Sequence, residues 1–393
     1  MTTAGVSGSP RVAGSARRRL IITFVVFVML GLPEGVLGTV WPSMRADLGR
    51  PVSSLAWLIG GYTLGYLVST GASGRLSERV GVQRAVQLGV ATTAVGLLFY
   101  VVSFAWPITV IGSVILGTGA GLVDASINAD VALRHGQRVM HFLHAAFGVG
   151  ATLGPLVATG LVRLNSSWRI AYLVLVAFEV LLLGLLLRRR PEPVDAESSD
   201  GAEAVAATTA RNPQLVLAAS LFYFAVYVGA EVSIGQWSFS ILTEERGSTP
   251  TAAGMAVAAY WGGLTVGRLL LGVVGDRLHP LTLLRGSVVV ALVAGIWFWS
   301  DGPGVLVALP VLGLSFAGIF PSLVLLTPGW VGRDRVARAV GLQLSSSSAG
   351  AIVSSALLAL VARQWGLNAV PAGILVLVTV LSLAHIVTEA ASR

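Results

Sequence analysis

Four carboxylates fall inside long apolar runs: Glu34, Asp124, Glu179 and Glu231. A charge at the centre of a bilayer costs about 2.5–3.5 kcal/mol on insertion scales, so acidic groups retained there ordinarily serve a function. A carboxyl that meets water first on one side of a membrane and then on the other can carry a proton across. Asp124 is the expected proton carrier, with Glu34 the second choice. Asp124 and Asn128 stand at i and i+4, on one helix face. A different chemistry uses amides and carboxylates to bracket hydroxyl groups, and an aromatic face to meet the C–H surface of a sugar ring. Glu231, Gln236, Trp237 and Asn128 suit that task, with Gln343 a lesser candidate. Trp237 suits an interfacial belt equally well. His141 and His144 are three residues apart with no third ligand in sight, so no metal site is expected. His144 is expected to hydrogen-bond or couple protons at the substrate site, and His141 to sit in a helix interface. The bland alternative for each carboxylate is a neutral group hydrogen-bonded between helices, and for Glu179 that alternative is the expectation.

The elements holding these groups must be membrane spans. Hydrophobic residues make up 55% of the 393-residue chain and charged residues 11%, against about 25% charged in a soluble domain. Spanning helices need about 20 mostly apolar residues. About twelve such segments can be marked, starting near residues 20, 53, 85, 107, 140, 169, 214, 251, 282, 304, 338 and 369. The fourth and tenth are interrupted by Gly and Pro. Glycines crowd several runs (Gly112, Gly117, Gly119 and Gly121; Gly148, Gly150 and Gly154), where small residues let helices approach closely.

One stretch breaks the pattern. Residues 188–212 open with three arginines and continue through Asp195, Glu197, Asp200 and Glu203, which reads as a flexible cytoplasmic linker. The expected organisation is a tail (1–19), a six-helix bundle (20–187), the linker (188–212), a second six-helix bundle (213–388) and a short tail (389–393). Arginines concentrate in the even-to-odd loops, among them Arg75, Arg84, Arg134, Arg138, Arg285 and Arg333, so both termini are expected in the cytoplasm of a multi-pass cell-membrane protein. Arg17, Arg18 and Arg19 begin like a signal peptide, but the apolar run continues past Glu34 to about Met44 without a cleavage pattern, as a retained span does.

The chain also repeats itself. Gly74-Arg-Leu-Ser-Glu-Arg79 and Gly272-Val-Val-Gly-Asp-Arg277 lie 198 positions apart, and at the same offset Tyr62 matches Tyr260 and Gly65 matches Gly263. Glu34 and Glu231 are 197 apart. Halves so related can hold a site at their interface and rock around it, as many secondary transporters do. Transport is therefore the leading expectation. All 26 basic residues are arginine; without lysine there is neither a Gly-Lys-Ser/Thr phosphate loop nor a Schiff base. The chain has no cysteine, which excludes thiolate chemistry. Neither enzyme activity nor a cofactor is expected. The net charge of +8 is spread among short loops, as topology control requires and nucleic-acid binding does not.

Twelve spans, a central polar segment and the duplicated motif resemble the major facilitator superfamily over essentially the whole chain. The resemblance implies an all-α membrane protein with twelve transmembrane helices in two pseudo-symmetric six-helix bundles, and a charged latch at the cytoplasmic helix ends. Gly74, Glu78, Arg79 and Gly81 would form that latch in the first half, and Gly272, Asp276 and Arg277 in the second. Val82-Gln83 replaces the family's Arg-Lys, and Leu278-His279 departs from its second glycine. Arg268, close to the second motif, is expected to pair with a carbonyl or an acid at the gate.

Shorter segments are similar to the fucose–proton symporter and bacterial glucose/galactose transporter branch. They are Tyr227-Val-Gly-Ala-Glu-Val-Ser-Ile-Gly235, Gly121-Leu-Val-Asp-Ala-Ser-Ile-Asn128 and Leu143-His-Ala-Ala-Phe-Gly148, with Ala129-Asp130 replacing that branch's Pro-Tyr. In this superfamily spans 1, 4 and 7 border the central cavity, which ranks Glu34, Asp124 and Glu231 above Glu179. Asp130 is expected to pair near a helix end. The implied function is proton-coupled uptake of a small, monosaccharide-like polar solute by alternating access. The implied partners are that solute, protons and the bilayer, around a single chain without nucleic acid. The alternative is proton-driven efflux of a drug or metabolite, because Gly150-Ala-Thr-Leu-Gly-Pro155 resembles the Gly-Pro motif of drug/proton antiporters.

Overall fold

The computed structural model describes residues 10–51, 54–163, 167–188, 210–302 and 304–393. Most of the expected linker (189–209) lies outside the described residues, as does the Asp276 side chain. The first half consists of α1 (Pro10–Asp47), α2 (Leu55–Val80), α3 (Val82–Val101), α4 (Trp106–Arg134), α5 (Gln137–Arg163) and α6 (Trp168–Leu187). The second consists of α7 (Pro213–Ser240), α8 (Pro250–Val274), α9 (Pro280–Ser300), α10 (Val305–Phe316), α11 (Ile319–Val331), α12 (Val336–Trp365) and α13 (Val370–Ser392). α10 and α11 are one span broken at Ala317-Gly318, so among the described residues the thirteen α-helices make twelve spans. The fourth span, also expected to be interrupted, is continuous. Proline opens α7, α8 and α9, where its missing N–H is one the helix start would leave unpaired anyway.

Among the described residues, ten helical segments are long and apolar enough to cross a membrane, and they do not include α2 or α5. The reason in α2 is a polar stripe of Ser69, Thr70, Ser73 and Ser77, all buried against protein. Those hydroxyls return their hydrogen bonds to the chain: Thr70 Oγ1 donates to the Tyr66 carbonyl at 2.9 Å and Ser73 Oγ to Thr70 O at 2.7 Å.

The two halves are built alike. In the first, α2 and α3 pack on α4, α1 on α5 and α3 on α6; in the second, α8 and α9 pack on α10, α7 on α12 and α9 on α13. The repeated Tyr and Gly residues form the seam of each bundle. A Cβ on Gly117 would lie 1.9 Å from the Tyr62 carbonyl oxygen, and a Cβ on Gly313 would lie 1.9 Å from that of Tyr260. The reciprocal contacts are Gly65 against Val114 O (2.1 Å) and Gly263 against Pro310 O (2.5 Å). No side chain fits between backbones this close, so glycine is required on both sides of both seams.

The bundles join where α2 meets α12 and α5 meets α8. Both joints lie at the end of the molecule that carries the repeated motifs, here the motif end. A Cβ on Gly74 would fall 2.4 Å from the Arg338 Cα, and one on Gly341 2.4 Å from Thr70 O. Ser345 Oγ donates to Leu67 O at 3.0 Å, and the Arg338 guanidinium pairs with Glu78. On the other joint, Gly272 lies against the Phe142 ring and Gly275 against Gln137. At the opposite end each bundle is tied separately. Arg169 pairs with Asp47 and donates to Ser103 O at 2.5 Å, while Arg246 Nη2 donates to Phe298 O at 2.5 Å and Nε pairs with Asp301 at 3.1 Å. The Arg169 guanidinium beside Asp47, helped by the Trp168 indole N–H, holds the Asp47 carboxyl below its ordinary range.

Adjacent glycines separate seam from surface. A Cβ at Gly262 would meet nothing within 4 Å. Gly263→Leu is expected to cost about 3 kcal/mol, the upper end for overpacking, because backbone cannot give way. Gly262→Leu should leave the thermal midpoint of the purified protein almost unchanged.

Candidate functional site

Between the bundles lies a cavity of about 600 Å3, lined from both halves. Ile59 and Ile352, both about half exposed, flank it on the side away from the motif end, and the motif end closes its floor.

On the first bundle's wall, α4 presents Asp124 while its neighbours Val123 and Ala125 are buried. The Tyr66 hydroxyl donates to Asp124 Oδ2. Asn128 Nδ2 donates to Asp124 Oδ1 at 2.7 Å and to its carbonyl at 3.0 Å. Asn128 is fully buried, and its Oδ1 lies 3.2 Å from His144 Nε2, so a chain of hydrogen bonds runs Tyr66–Asp124–Asn128–His144. His144 is held edge-on between Phe27 (6.0 Å) and Phe320 (4.9 Å) and lines the cavity. Glu34 on α1 borders the same cavity with Tyr62, whose ring stacks on Tyr66 at 6.2 Å.

On the opposite wall, α7 and α8 present Glu231 and Arg268, with Arg268 Nη2 4.0 Å from Glu231 Oε2. The Tyr227 hydroxyl lies against Glu231 Oε2 and 3.2 Å from the Phe316 carbonyl, which the break between α10 and α11 leaves free. A phenol has one proton, so Tyr227 serves one acceptor at a time. Tyr260 OH donates to the Glu231 carbonyl at 2.8 Å. The Arg268 Nε is buried without a partner in the described structure.

The cavity therefore brings together Glu34, Asp124, His144, Glu231 and Gln236, with Gln236 accepting from Ser355 Oγ at 3.0 Å. Asn128 stands behind Asp124 as a positioning residue. Trp237 is not in the lining; it is half-buried against the core. Arg268 pairs with an acid, as expected, but that acid is Glu231 in the cavity and not a group at the gate, because α8 continues past Arg268 to Val274 before the motif end is reached. Of the expected latch residues, Gly74, Glu78 and Gly272 make inter-bundle contacts, whereas Arg79 and Arg277 lie exposed.

Glu179 is buried on α6, outside the cavity lining. Gln343 is buried in a satisfied network with Ser220 (3.0 Å) and Thr327 (3.1 Å). His141 is buried near the second joint, and Asp130 pairs with Arg134 at 2.7 Å. Sequence reasoning missed the tyrosines as site residues. The i−4 spacing of Tyr227 from Glu231, the Tyr62/Tyr260 repeat and the polar run Ser345–Ser348 were the available signals; Ser347 and Ser348 line the cavity.

The model of the Major Facilitator Superfamily matches residues 23–240 and 236–392. The chain belongs to that superfamily. As a member it is a multi-pass membrane transporter and not an enzyme, and its pseudo-symmetric bundles are the superfamily's own. It is 25% identical over 296 residues to the Bypass of stop codon protein 6 of Saccharomyces cerevisiae, an alignment covering 66% of this chain and 57% of that protein's length. It is 22% identical to the glucose/mannose transporter GlcP of Bacillus subtilis, over 90% of this chain and 88% of that protein. Among solved structures, the Escherichia coli fucose:proton symporter FucP in an outward conformation superposes with a TM-score of 0.79. The identity there is 15%, covering 95% of this chain and 99% of that one, a likeness of fold.

The Glu78–Arg338 pair is solvent-facing, and such pairs contribute about 0–1 kcal/mol. Glu78→Gln is expected to raise alkylation of a Ser345→Cys reporter at the joint by roughly two- to fivefold. The cysteine-free background makes that reporter unambiguous.

Proposed function

We propose that the chain takes up a small polyhydroxylated solute of the monosaccharide class together with protons, by alternating access. One observation carries the reading: a single cavity holds Asp124 and Glu34 from one bundle opposite the Glu231–Arg268 pair of the other. The two carboxylates of the first wall have tyrosine and amide companions, and no arginine lines their side of the cavity. Glu231 already has a guanidinium to balance it. A proton supplies the missing positive charge on the first wall, so Asp124, with Glu34 beside it, is the coupling group. Glu231, Arg268, Gln236 and the serines of α12 then bracket solute hydroxyls.

With the motif end cytoplasmic, the cavity of this conformation faces outward. The solute and the proton bind there, the bundles rock, and the joints at α2–α12 and α5–α8 part to release both inside. One proton moving inward supplies about 2.3 kcal/mol per 100 mV of membrane potential. That concentrates a neutral solute some tens of times, since 1.4 kcal/mol is about tenfold. The relatives named for glucose, mannose and fucose support the choice of solute class. A single chain in the cell membrane is the working unit.

Two variants test these roles. In proteoliposomes, Asp124→Asn should keep hexose counterflow and lose accumulation driven by a pH gradient; accumulation at the parental level would remove Asp124 from coupling, and accumulation that follows a sodium gradient would replace the proton. Glu231→Gln should weaken hexose binding about 10- to 100-fold, the worth of a hydrogen bond to a charged group. Parental affinity by calorimetry would reject that assignment.

A further inference from the structure

A second chamber, of about 410 Å3, adjoins the central cavity. Glu34, Ile59, Tyr62 and Thr63 form a common wall, lining both spaces. Beyond that wall the chamber extends into the first bundle, where Leu58, Leu116, Tyr100 and Tyr172 line it, each buried. The Tyr100 and Tyr172 rings lie 4.7 Å apart and tilted by 33°, so an aromatic pair closes part of this space. Tyr172 is 1% exposed, and its hydroxyl has no hydrogen-bond partner in the described structure. A buried hydroxyl in that state is costly unless something supplies an acceptor or donor. Gly38 on α1 also borders the chamber, and a Cβ there would meet no atom within 4 Å. Gly38 is itself exposed, so the chamber is open beside α1.

The central cavity already holds the carboxylates, guanidinium and amide that a sugar ring needs. The chamber adds leucines and tyrosines, which do not suit a second ring of hydroxyls. Resting on the sugar reading of the central cavity, we infer that the preferred solute is amphipathic, of the aryl glycoside class. Its glycosyl part lies between Asp124 and Glu231, and its aryl part passes Tyr62 into the chamber toward Tyr172. Small-molecule sites combine apolar and aromatic walls with a few convergent polar groups, and the two spaces together have that character. Ile59, Tyr62 and Thr63, on the common wall, are then the residues that select for an aryl substituent.

The full chain in lipid nanodiscs provides the test, with affinities for methyl β-D-glucoside, phenyl β-D-glucoside and 4-hydroxyphenyl β-D-glucoside taken from thermal stabilisation. Phenyl glucoside is expected to bind about tenfold or more tightly than methyl glucoside, from apolar burial of the ring. Gly38→Phe should erase that difference and leave methyl glucoside unaffected, while Gly38→Ala should preserve it. Tyr172→Phe, which keeps the packing, should remove only the further gain of the 4-hydroxyphenyl compound. Equal affinities for the phenyl and methyl glucosides, as a lipid chain filling the chamber would give, overturn the inference and leave the sugar reading standing. So does a phenyl advantage that survives a folded Gly38→Phe protein. Failure of all three glucosides to bind overturns both readings.

Discussion

A polar group inside a bilayer must find its partner in protein, because the hydrocarbon offers none. Much of this architecture answers that constraint. Asp124 is met by Tyr66 and Asn128, and Glu231 by Arg268, while the single Tyr227 proton serves either Glu231 or the carbonyl freed by the break at Ala317-Gly318. Tyrosine suits the purpose because its ring packs like any apolar side chain while its hydroxyl supplies one directed hydrogen bond. Such bonds work only between helices that lie close, and the glycine seams at Gly65, Gly117, Gly263 and Gly313 bring them there. Backbone contact in the seams and hydrogen bonding in the cavity are thus one requirement seen at two places.

The scaffold is symmetric and the chemistry is not. The main helix pairings correspond in the two halves, and the joint between halves repeats as well, the second span of either bundle meeting the fifth of the other. Yet the arginine among the cavity residues stands on one side, at Arg268, while the His144–Asn128–Asp124 chain stands on the other. Pseudo-symmetry provides two alike walls on either side of the cavity, which is what the proposed alternating access requires. The asymmetric residues divide labour within that site, a balanced pair on one wall and an unbalanced carboxylate on the other.

Much of this was legible in the sequence. Except for the first span, expected near residue 20 where the helix already begins at Pro10, each start fell within a few residues of the observed helix, because long apolar runs leave few alternatives, and the offset of 198 announced the bundle repeat. Glu34, Asp124 and Glu231 could be picked out because carboxylates in apolar runs are costly. Other features were not legible. Arg268 lies near the second motif in sequence, but the remaining turns of α8 separate it from the motif end in space. Trp237, which looked like a sugar platform, turns away from the cavity, since periodicity alone does not fix which face of a fully apolar helix looks inward. Tyr62 and Tyr260 were visible as a repeat, but the repeat carries two meanings. Their carbonyls receive the glycine seams, and their side chains serve the cavity wall and the Glu231 backbone.

A rocking transporter needs interiors that hold and a joint that lets go, and the contacts differ accordingly. Inside each bundle, glycine brings backbone directly against backbone, next to buried aromatic side chains such as Tyr100, Tyr172, Tyr223 and Phe298. Across the α2–α12 joint the approach is as close, but the groups that meet are Gly74, Thr70, Ser73, Gly341 and Ser345, with one solvent-facing ion pair. Small side chains bury little apolar area, at about 25 cal/mol per Å2, and an exposed pair contributes about 0–1 kcal/mol. Conformers that interconvert usefully differ by only a few kcal/mol. A joint made of glycine, serine and threonine keeps the difference in that range, whereas a leucine-rich joint of the same extent would hold the motif end shut. On the proposed alternating-access reading, the polar stripe that makes α2 read as a poor membrane span is therefore what would permit the motif end to open.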